Sequence, residues 1–447
     1  MKKRVKQQTV TILSKVNNMN TGNKKLFLGR PVNYPTEIIS GVTTFLTMAY
    51  IIFVNPDILS AAGMDRASLI VITCLVTGII TIATGLLTNS PIAMAPGMGL
   101  NAFFTFSLVI NEKIPWEKAL GIVFISGAIF FVLSLIGLRK KLLKAIPPEL
   151  LNAIAVGIGV FIAFIGLQNI GIIVKSDATM VSAGGITWKI LIGLTALLIM
   201  IVLEMNKVRG SLLIGIIFAT LISLLSGHIS IPDKIISLNI DISPIFGKLD
   251  IIGALKVSFI APIFTIMFVD LFDSMGSLLG LAKEADMIDE KGEIPKLGKL
   301  LGMDAAATMF GAFCGTSTTT TYIESAAGIS SGGRTGLTSI VTGTLFIIFI
   351  IFVPLILMVP ATATAPALIM VGFFMIKNIT SINFRDIEIG FPSFIIIVMI
   401  AFSYSISHGL AFGFITFTIL KVFKGKIKEI KPALWLINIL SLFYFIV

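Results

Sequence analysis

The sequence predicts an all-α polytopic membrane protein of about fourteen transmembrane segments, arranged as a seven-plus-seven inverted repeat. Three observations carry this expectation. Hydrophobic residues make up 56% of the 447 and charged residues only 13%, against about 25% charged in an ordinary soluble domain. Apolar windows of membrane-spanning length recur along the chain. Finally, with the N-terminus placed inside, 26 of the 34 Lys and Arg fall on one face of the membrane, the bias of the positive-inside rule. Thirteen or fifteen crossings would carry whole basic loops, such as 139–144 and 421–431, to the wrong face.

Composition also removes several classes. The net charge of +11 clusters at the two ends and in alternate short loops, which is membrane topology rather than a nucleic-acid surface. Cys74 and Cys314 both sit in apolar sequence and read as small core residues. His228 and His408 are isolated, so neither a metal site nor a cofactor motif is expected. Residues 1–35 are basic with only a short apolar patch, which reads as a cytoplasmic extension rather than a signal peptide.

The spans follow in order. Thr36–Val54 is the first, expected to stop at Asn55-Pro56-Asp57, and Ala67–Leu87 is the second. The third, Asn89–Phe106, contains Pro91, Pro96, Gly97 and Gly99, which break a continuous helix. Irregular backbone at membrane depth is tolerated where it is buried or lines a cavity, so a short extended piece is expected, followed by a half-helix starting near Asn101. Ala119–Leu138 is the fourth, then the basic loop Arg139–Lys144. Leu151–Val174, Lys189–Leu203 and Ser211–Leu225 complete the first half, 36–226. A polar connection, 227–252, is expected outside.

The second half, 253–424, opens with the stretch around which the chain is organised, Phe268–Ala282. It sets Asp270 and Asp273 inside an apolar span beginning near Val257. A spacing of three puts both carboxylates on one helical face, about 60° apart. An acid at the centre of a membrane helix costs about 2.5–3.5 kcal/mol on the lower estimates, so a functional reason for the pair outweighs packing. A mixed-charge loop, Lys283–Lys299, leads to the ninth segment, Gly302–Gly315, with Asp304 near its start. The tenth, Thr316–Gly328, has six consecutive hydroxyl residues, which favour extended backbone, and then Glu324. Thr338–Val359, Ala365–Ile376, Ile389–Ser403 and His408–Phe423 follow, and 425–447 is a cytoplasmic or interfacial tail. The broken segment is thus the third of each half, and paired discontinuous segments at matching positions point to a midplane binding site.

The motifs Ala95–Phe104 (APGMGLNAFF), Phe268–Ser277 (FVDLFDSMGS), Thr316–Ile329 (TSTTTTYIESAAGI) and Gly332–Leu337 (GGRTGL) resemble the azaguanine/hypoxanthine–guanine permease family, a branch of the nucleobase:cation symporters. Gly166–Gly171 and Gly409–Phe414 match as well, and the resemblance runs from about Thr36 to Lys424. It implies the uracil-permease fold, in which a core domain (segments 1–4 and 8–11) moves against a gate domain (5–7 and 12–14). It also implies proton symport of hypoxanthine or guanine by alternating access, in the cell membrane, with both termini cytoplasmic and a homodimer through the gate domains. Carried over residue by residue, the substrate ligands fall on Asn101, Asp270 and Glu324, Asp273 is required for transport, and Tyr322 is the aromatic beside the site.

The chemistry of the residues agrees. A purine is flat with polar edges, so it needs a stacking wall and a few converging polar groups. Carboxylates accept the paired N–H donors of guanine or the single N1–H of hypoxanthine, and Asn101 offers both a donor and an acceptor. Phe103, Phe104 and Tyr322 are candidate walls, with bundle packing an equal alternative. Burial and like charge both disfavour ionisation, so Asp270, Asp273, Glu324 and Asp304 are groups that could exchange protons near neutral pH. For Asp304, close to the inside loop, a structural hydrogen bond is the better reading.

Rival functions fit less well. An ATP-driven pump lacks its G-x-x-x-x-G-K-[ST] loop. An intramembrane aspartyl protease needs its acids on neighbouring helices in a G-x-G-D turn, which Gly302-Met303-Asp304 does not supply. An anion transporter of the same fold would not surround its substrate with acids. An adenine-selective permease of the same family stays as the alternative, since Asn101 and a protonated acid could serve adenine.

Overall fold

Asn33-Tyr34-Pro35 opens the first membrane helix, with proline where the missing N–H costs nothing. The computed structural model describes residues 26–136, 146–237, 241–289, 294 and 296–446. Residues 1–25 of the expected extension and the expected basic loop 139–144 lie outside the described residues. Ahead of the first helix, β1 (Leu26–Phe27) and β2 (Arg30–Pro31) form a small antiparallel hairpin.

The first span is two helices, α1 (Tyr34–Met48) and α2 (Ile51–Ser60), joined by a turn at Ala49 and Tyr50. The expected stop at Asn55-Pro56-Asp57 does not occur, because these residues lie inside α2. Their neighbours Ile51–Val54, Ile58 and Leu59 are buried in the core, and that burial outweighs the local breaking tendency of Pro56. Asp65 then caps α3 (Arg66–Thr88) by accepting from the Ser68 N–H, and α3 ends on Asn89 in the left-handed region.

The third segment begins extended, as β3 (Met94–Pro96), and turns at Gly97 into the short helix α4 (Met98–Ala102). Wide helical turns, Phe103–Asn111, continue it. The half-helix therefore starts three residues before the expected Asn101, at the first residue after the Pro96-Gly97 break. After α5 (Trp116–Leu135) and α6 (Pro148–Ile170), the chain departs again from expectation. Gly171, at φ 93°, closes α6, and β4 (Ile173–Ser176) pairs with β5 (Met180–Ala183) as an antiparallel hairpin. Ile173 and Val174, read from sequence as the end of a span, are β-branched residues that suit a strand. The half closes with α7 (Trp188–Met205) and α8 (Ser211–Leu225). The polar connection carries one short element, α9 (Ile251–Ala254), capped by Asp250.

Helix α10 (Ile260–Glu284) carries the aspartates and α11 (Leu297–Cys314) follows. The tenth segment is β6 (Thr319–Thr321) and the six-residue α12 (Ser325–Ser330). Then come α13 (Gly336–Phe349), α14 (Val353–Leu357), α15 (Ala361–Ile376), α16 (Ile387–Ser403) and α17 (Ile406–Phe423). The terminal apolar stretch is a helix, α18 (Pro432–Ile446), packed on α17 and α10. Three two-stranded sheets thus qualify the all-α expectation. Nine helices among the described residues are long and apolar enough to cross a membrane, and three shorter apolar helices accompany them.

Packing divides the helices into two groups. In one, α3 packs on α13, α5 on α11, α1 on α13 and α10 on α5; in the other, α6 packs on α15, α16 on α6 and α17, and α7 on α8 and α15. Small residues allow the closest approaches. A Cβ on Gly336 would stand 1.9 Å from the Gly85 carbonyl oxygen, so α3 and α13 meet backbone to backbone.

Candidate functional site

The two broken segments meet. Strand β3 lies antiparallel to β6, with Met94 opposite Thr321, Ala95 opposite Thr320 and Pro96 opposite Thr319. The pair satisfies backbone groups that would otherwise be orphaned at membrane depth. Its flanks are tied as well: the Gly97 N–H donates to the Thr318 carbonyl at 2.9 Å, and the Tyr322 N–H to the Ala93 carbonyl at 3.0 Å. The Tyr322 hydroxyl donates to the Pro96 carbonyl at 2.7 Å. Glycine is required at 97, since a Cβ there would sit 2.9 Å from Thr320 Cγ2.

Around this ribbon stand four carboxylates: Asp270, Asp273 and Asp304 lie within electrostatic reach of one another, and Glu324 within reach of Asp273. Their environments differ. Asp304 is fully buried and accepts from the Thr321 N–H at 2.9 Å, the Thr321 hydroxyl at 3.2 Å and the Ser274 hydroxyl at 2.5 Å. It fastens β6 to α11, a structural bond of the kind its position suggests. Asp270 is also fully buried; Thr308 Oγ1 donates to its Oδ2 at 2.9 Å, while its Oδ1 has no hydrogen-bond partner among the described residues.

Asp273 is exposed although it lies three residues from Asp270 and deep along α10. The α10 face that carries it continues through Gly276 and Gly280, both exposed, and a Cβ on Gly276 would meet nothing within 4 Å. One side of α10 therefore borders open space beside the ribbon. The expected single face of two acids is a boundary: Asp270 points into the packed helices and Asp273 into the opening. Glu324 is half-buried just before α12, and its Oε1 accepts from the Tyr50 hydroxyl at 2.5 Å.

Asn101, in α4, is fully buried, and its Nδ2 donates to Asn55 Oδ1 at 2.5 Å. Its own Oδ1 has no partner among the described residues. The candidate aromatic walls are elsewhere engaged. Phe103 and Phe104 are fully enclosed in the main hydrophobic core, and Tyr322 is 5% exposed with its hydroxyl committed to β3. Among the described residues no group of three His, Cys, Asp or Glu side chains could hold a metal ion.

Sequence reasoning missed three partners: Tyr50, Asn55 and Thr308. Tyr50 and Asn55 were visible as polar groups in an apolar span; Thr308 resembles any small residue of a helix interface. The arrangement offers mostly acceptors: Asp273 and Glu324 are accessible, and Asn101 and Asp270 each keep one unpaired oxygen, while the Ser317, Thr318 and Thr319 hydroxyls of the ribbon are buried without partners among the described residues.

The chain matches known proteins over most of its length. A family model of the xanthine–uracil permease type, described as a permease family, covers residues 35–427. A putative permease of Methanocaldococcus jannaschii is 44% identical over 413 residues, 92% of this chain and 94% of the relative. The adenine permease AdeP of Escherichia coli is 39% identical over 91% of each chain. The guanine/hypoxanthine permease PbuG of Bacillus subtilis is 39% identical over 93% of this chain and 97% of its own. Among solved structures, the transmembrane domain of the cyanobacterial bicarbonate transporter BicA superposes with a TM-score of 0.66 at 14% identity, covering 86% of this chain and 99% of that one. That last likeness concerns the fold alone. The chain belongs to this permease family and is a multi-pass membrane transporter, not an enzyme.

Proposed function

We propose that this transporter takes up a purine nucleobase, with hypoxanthine or guanine as the first choice, by proton symport and alternating access. The observation that carries the reading is the set of acceptors beside the β3–β6 ribbon. Asp273 and Glu324 border the opening, and Asn101 Oδ1 and Asp270 Oδ1 are buried without partners. A 6-oxopurine edge is rich in N–H donors and suits such a site. The same acids disfavour an anionic substrate, so the fold shared with a bicarbonate transporter does not redirect the reading.

The architecture we propose is fourteen segments in two inverted halves. Nine long and three shorter apolar helices, with α11 and the β6–α12 segment, account for fourteen. Exchanging the halves turns the α3–α13 contact into α11–α5, α1–α13 into α10–α5, and α16–α6 into α7–α15, all of them present. The two helix groups then act as core and gate, with one acid changing protonation as the core moves. We further propose residence in the cell membrane, cytoplasmic termini and a homodimer through the gate helices.

Uptake of radiolabelled hypoxanthine, guanine and adenine by cells lacking their own purine carriers tests this. The assay is run with and without a protonophore, for wild type, Asp270→Asn, Asp273→Asn and Glu324→Gln. Saturable uptake lost with protonophore and in the variants supports the reading; uptake that survives all three substitutions removes these carboxylates from the site.

A further inference from the structure

A chain of hydrogen bonds behind Asn101 has a polarity that can be read from one end to the other. Thr73 Oγ1 donates its only proton to the Leu69 carbonyl at 2.6 Å, one turn earlier in α3. The hydroxyl is thereby left as an acceptor towards Asn55, whose Nδ2 stands 2.8 Å away. A second hydroxyl, Thr316 Oγ1, lies 3.3 Å from the same nitrogen. With Nδ2 held on that side, the Asn55 carboxamide turns Oδ1 towards Asn101, and Asn101 must meet it with Nδ2, at 2.5 Å. Asn101 Oδ1 is consequently the buried oxygen without a partner. Asn55, Thr73, Thr316 and Asn101 are all fully buried. Flipping either amide alone would set oxygen against oxygen or nitrogen against nitrogen among fully buried groups.

We propose that the Leu69–Thr73–Asn55 relay locks the Asn101 amide with Oδ1 as the atom offered to the ligand, making Asn55 and Thr73 specificity-determining positioning residues. The proposal rests on the purine reading above and deepens it. A free asparagine reads a donor or an acceptor equally well by rotating half a turn; a locked one does not. At the N1/C6 edge, hypoxanthine presents a donor at N1 and an acceptor at the 6-oxo group, and adenine presents the reverse. The locked oxygen takes the N1–H of the one or the 6-amino group of the other, but not both in the same pose. A site built this way discriminates because the wrong base leaves a buried polar atom unpaired.

The test is competition of unlabelled hypoxanthine and adenine against labelled substrate in wild type, Thr73→Val, Thr73→Ser and Asn55→Leu, with surface expression measured for each. Wild type is expected to separate the two bases by about tenfold or more. Thr73→Val and Asn55→Leu should bring the ratio of inhibition constants towards one, and Thr73→Ser, which keeps the hydroxyl relay, should hold the wild-type ratio. A residue that merely supports the fold would lower uptake of both bases together without moving that ratio. Wild-type uptake with no discrimination, or an unchanged ratio in Thr73→Val at normal expression, overturns the lock alone. A wild type that carries no purine at all overturns the purine reading, and the lock with it.

Discussion

The Thr364 hydroxyl donates to Asp57 Oδ2 at 2.5 Å, and this bond joins the two groups of helices. Asp57 lies in α2 and Thr364 in α15. The carboxylate is held from its other side by Arg66, whose Nη2 is 2.7 Å from Oδ1 and which also donates to the Leu357 and Val359 carbonyls at 3.1 and 2.9 Å. Two further contacts cross between the groups nearby, from the Ser107 hydroxyl to the Tyr404 carbonyl and between Ser407 Oγ and Thr265 Oγ1 at 3.1 Å. Movement of one group past the other must break this set.

Thr364→Val should therefore loosen the closure. A hydrogen bond to a charged group contributes about 1.5–3 kcal/mol, and Arg66 is partly solvated, so the lower end applies. A cysteine placed at the buried position 362 should react with a membrane-impermeant maleimide about tenfold faster in the Thr364→Val background. Equal rates would mean that this bond does not hold the arrangement.

Two glycines make opposite predictions. Gly336→Ala forces a Cβ to 1.9 Å from the Gly85 carbonyl oxygen, where backbone must move. Overpacking of this kind costs about 1–3 kcal/mol and should lower the melting temperature in detergent. Gly276 has open space where its Cβ would be. Gly276→Leu should leave the melting temperature within a degree or two of wild type, since exposed substitutions change stability by about 0.5 kcal/mol or less, yet reduce uptake by obstructing the space beside Asp273. Full uptake in Gly276→Leu would place the transport route on another face of α10.

The parts of the site that could be read from sequence are those that offend the bilayer. Asp270, Asp273 and Glu324 stand out against apolar neighbours, as do Pro91, Pro96 and the threonine run, so the broken segments and their acids were visible without coordinates. The pairing of Met94 with Thr321 was not, because 222 residues separate the strands and nothing local encodes their register. Asn55 was misjudged for a related reason. Asn-Pro-Asp reads locally as a stop, and only the packing of α2 against α3 and α4 keeps it helical. The differing exposure of Asp270 and Asp273 also depends on neighbours, since a rotation of about 60° about the helix axis is enough to separate a buried group from an exposed one.

The loop-side end of α16 provides a stability contrast. Glu388 is 5% exposed and receives Lys421, Lys424 and Lys426 at 2.9, 2.8 and 2.7 Å. Removing the shared carboxylate leaves three ammonium groups facing one another. Glu388→Ala should lower stability more than loss of any single-partner acid nearby, because three lysines lose their shared carboxylate. Glu429 meets only Lys421, at 2.6 Å, and its side chain is 56% exposed; Glu429→Ala should cost about 0–1 kcal/mol. Thermal unfolding of the two variants in one detergent checks the difference, and equal losses would mean that Glu388 is not the hub.

Tyr50 and Glu324 give the most direct probe of the site. Tyr50 is 1% exposed at the turn between α1 and α2, so its ring cannot swing away, and its hydroxyl fixes one oxygen of Glu324 at 2.5 Å. Tyr50→Phe keeps the packing and deletes that restraint. The carboxylate then samples more rotamers, and the ligand must order it on binding, at a cost of about 0.5–1.5 kcal/mol for an immobilised side chain. The apparent KM for the base should rise about tenfold at most, with Vmax little changed, whereas Glu324→Gln should abolish saturable uptake. A fall in Vmax at constant KM in Tyr50→Phe would instead assign the hydroxyl to the movement of the loaded carrier and not to ligand binding.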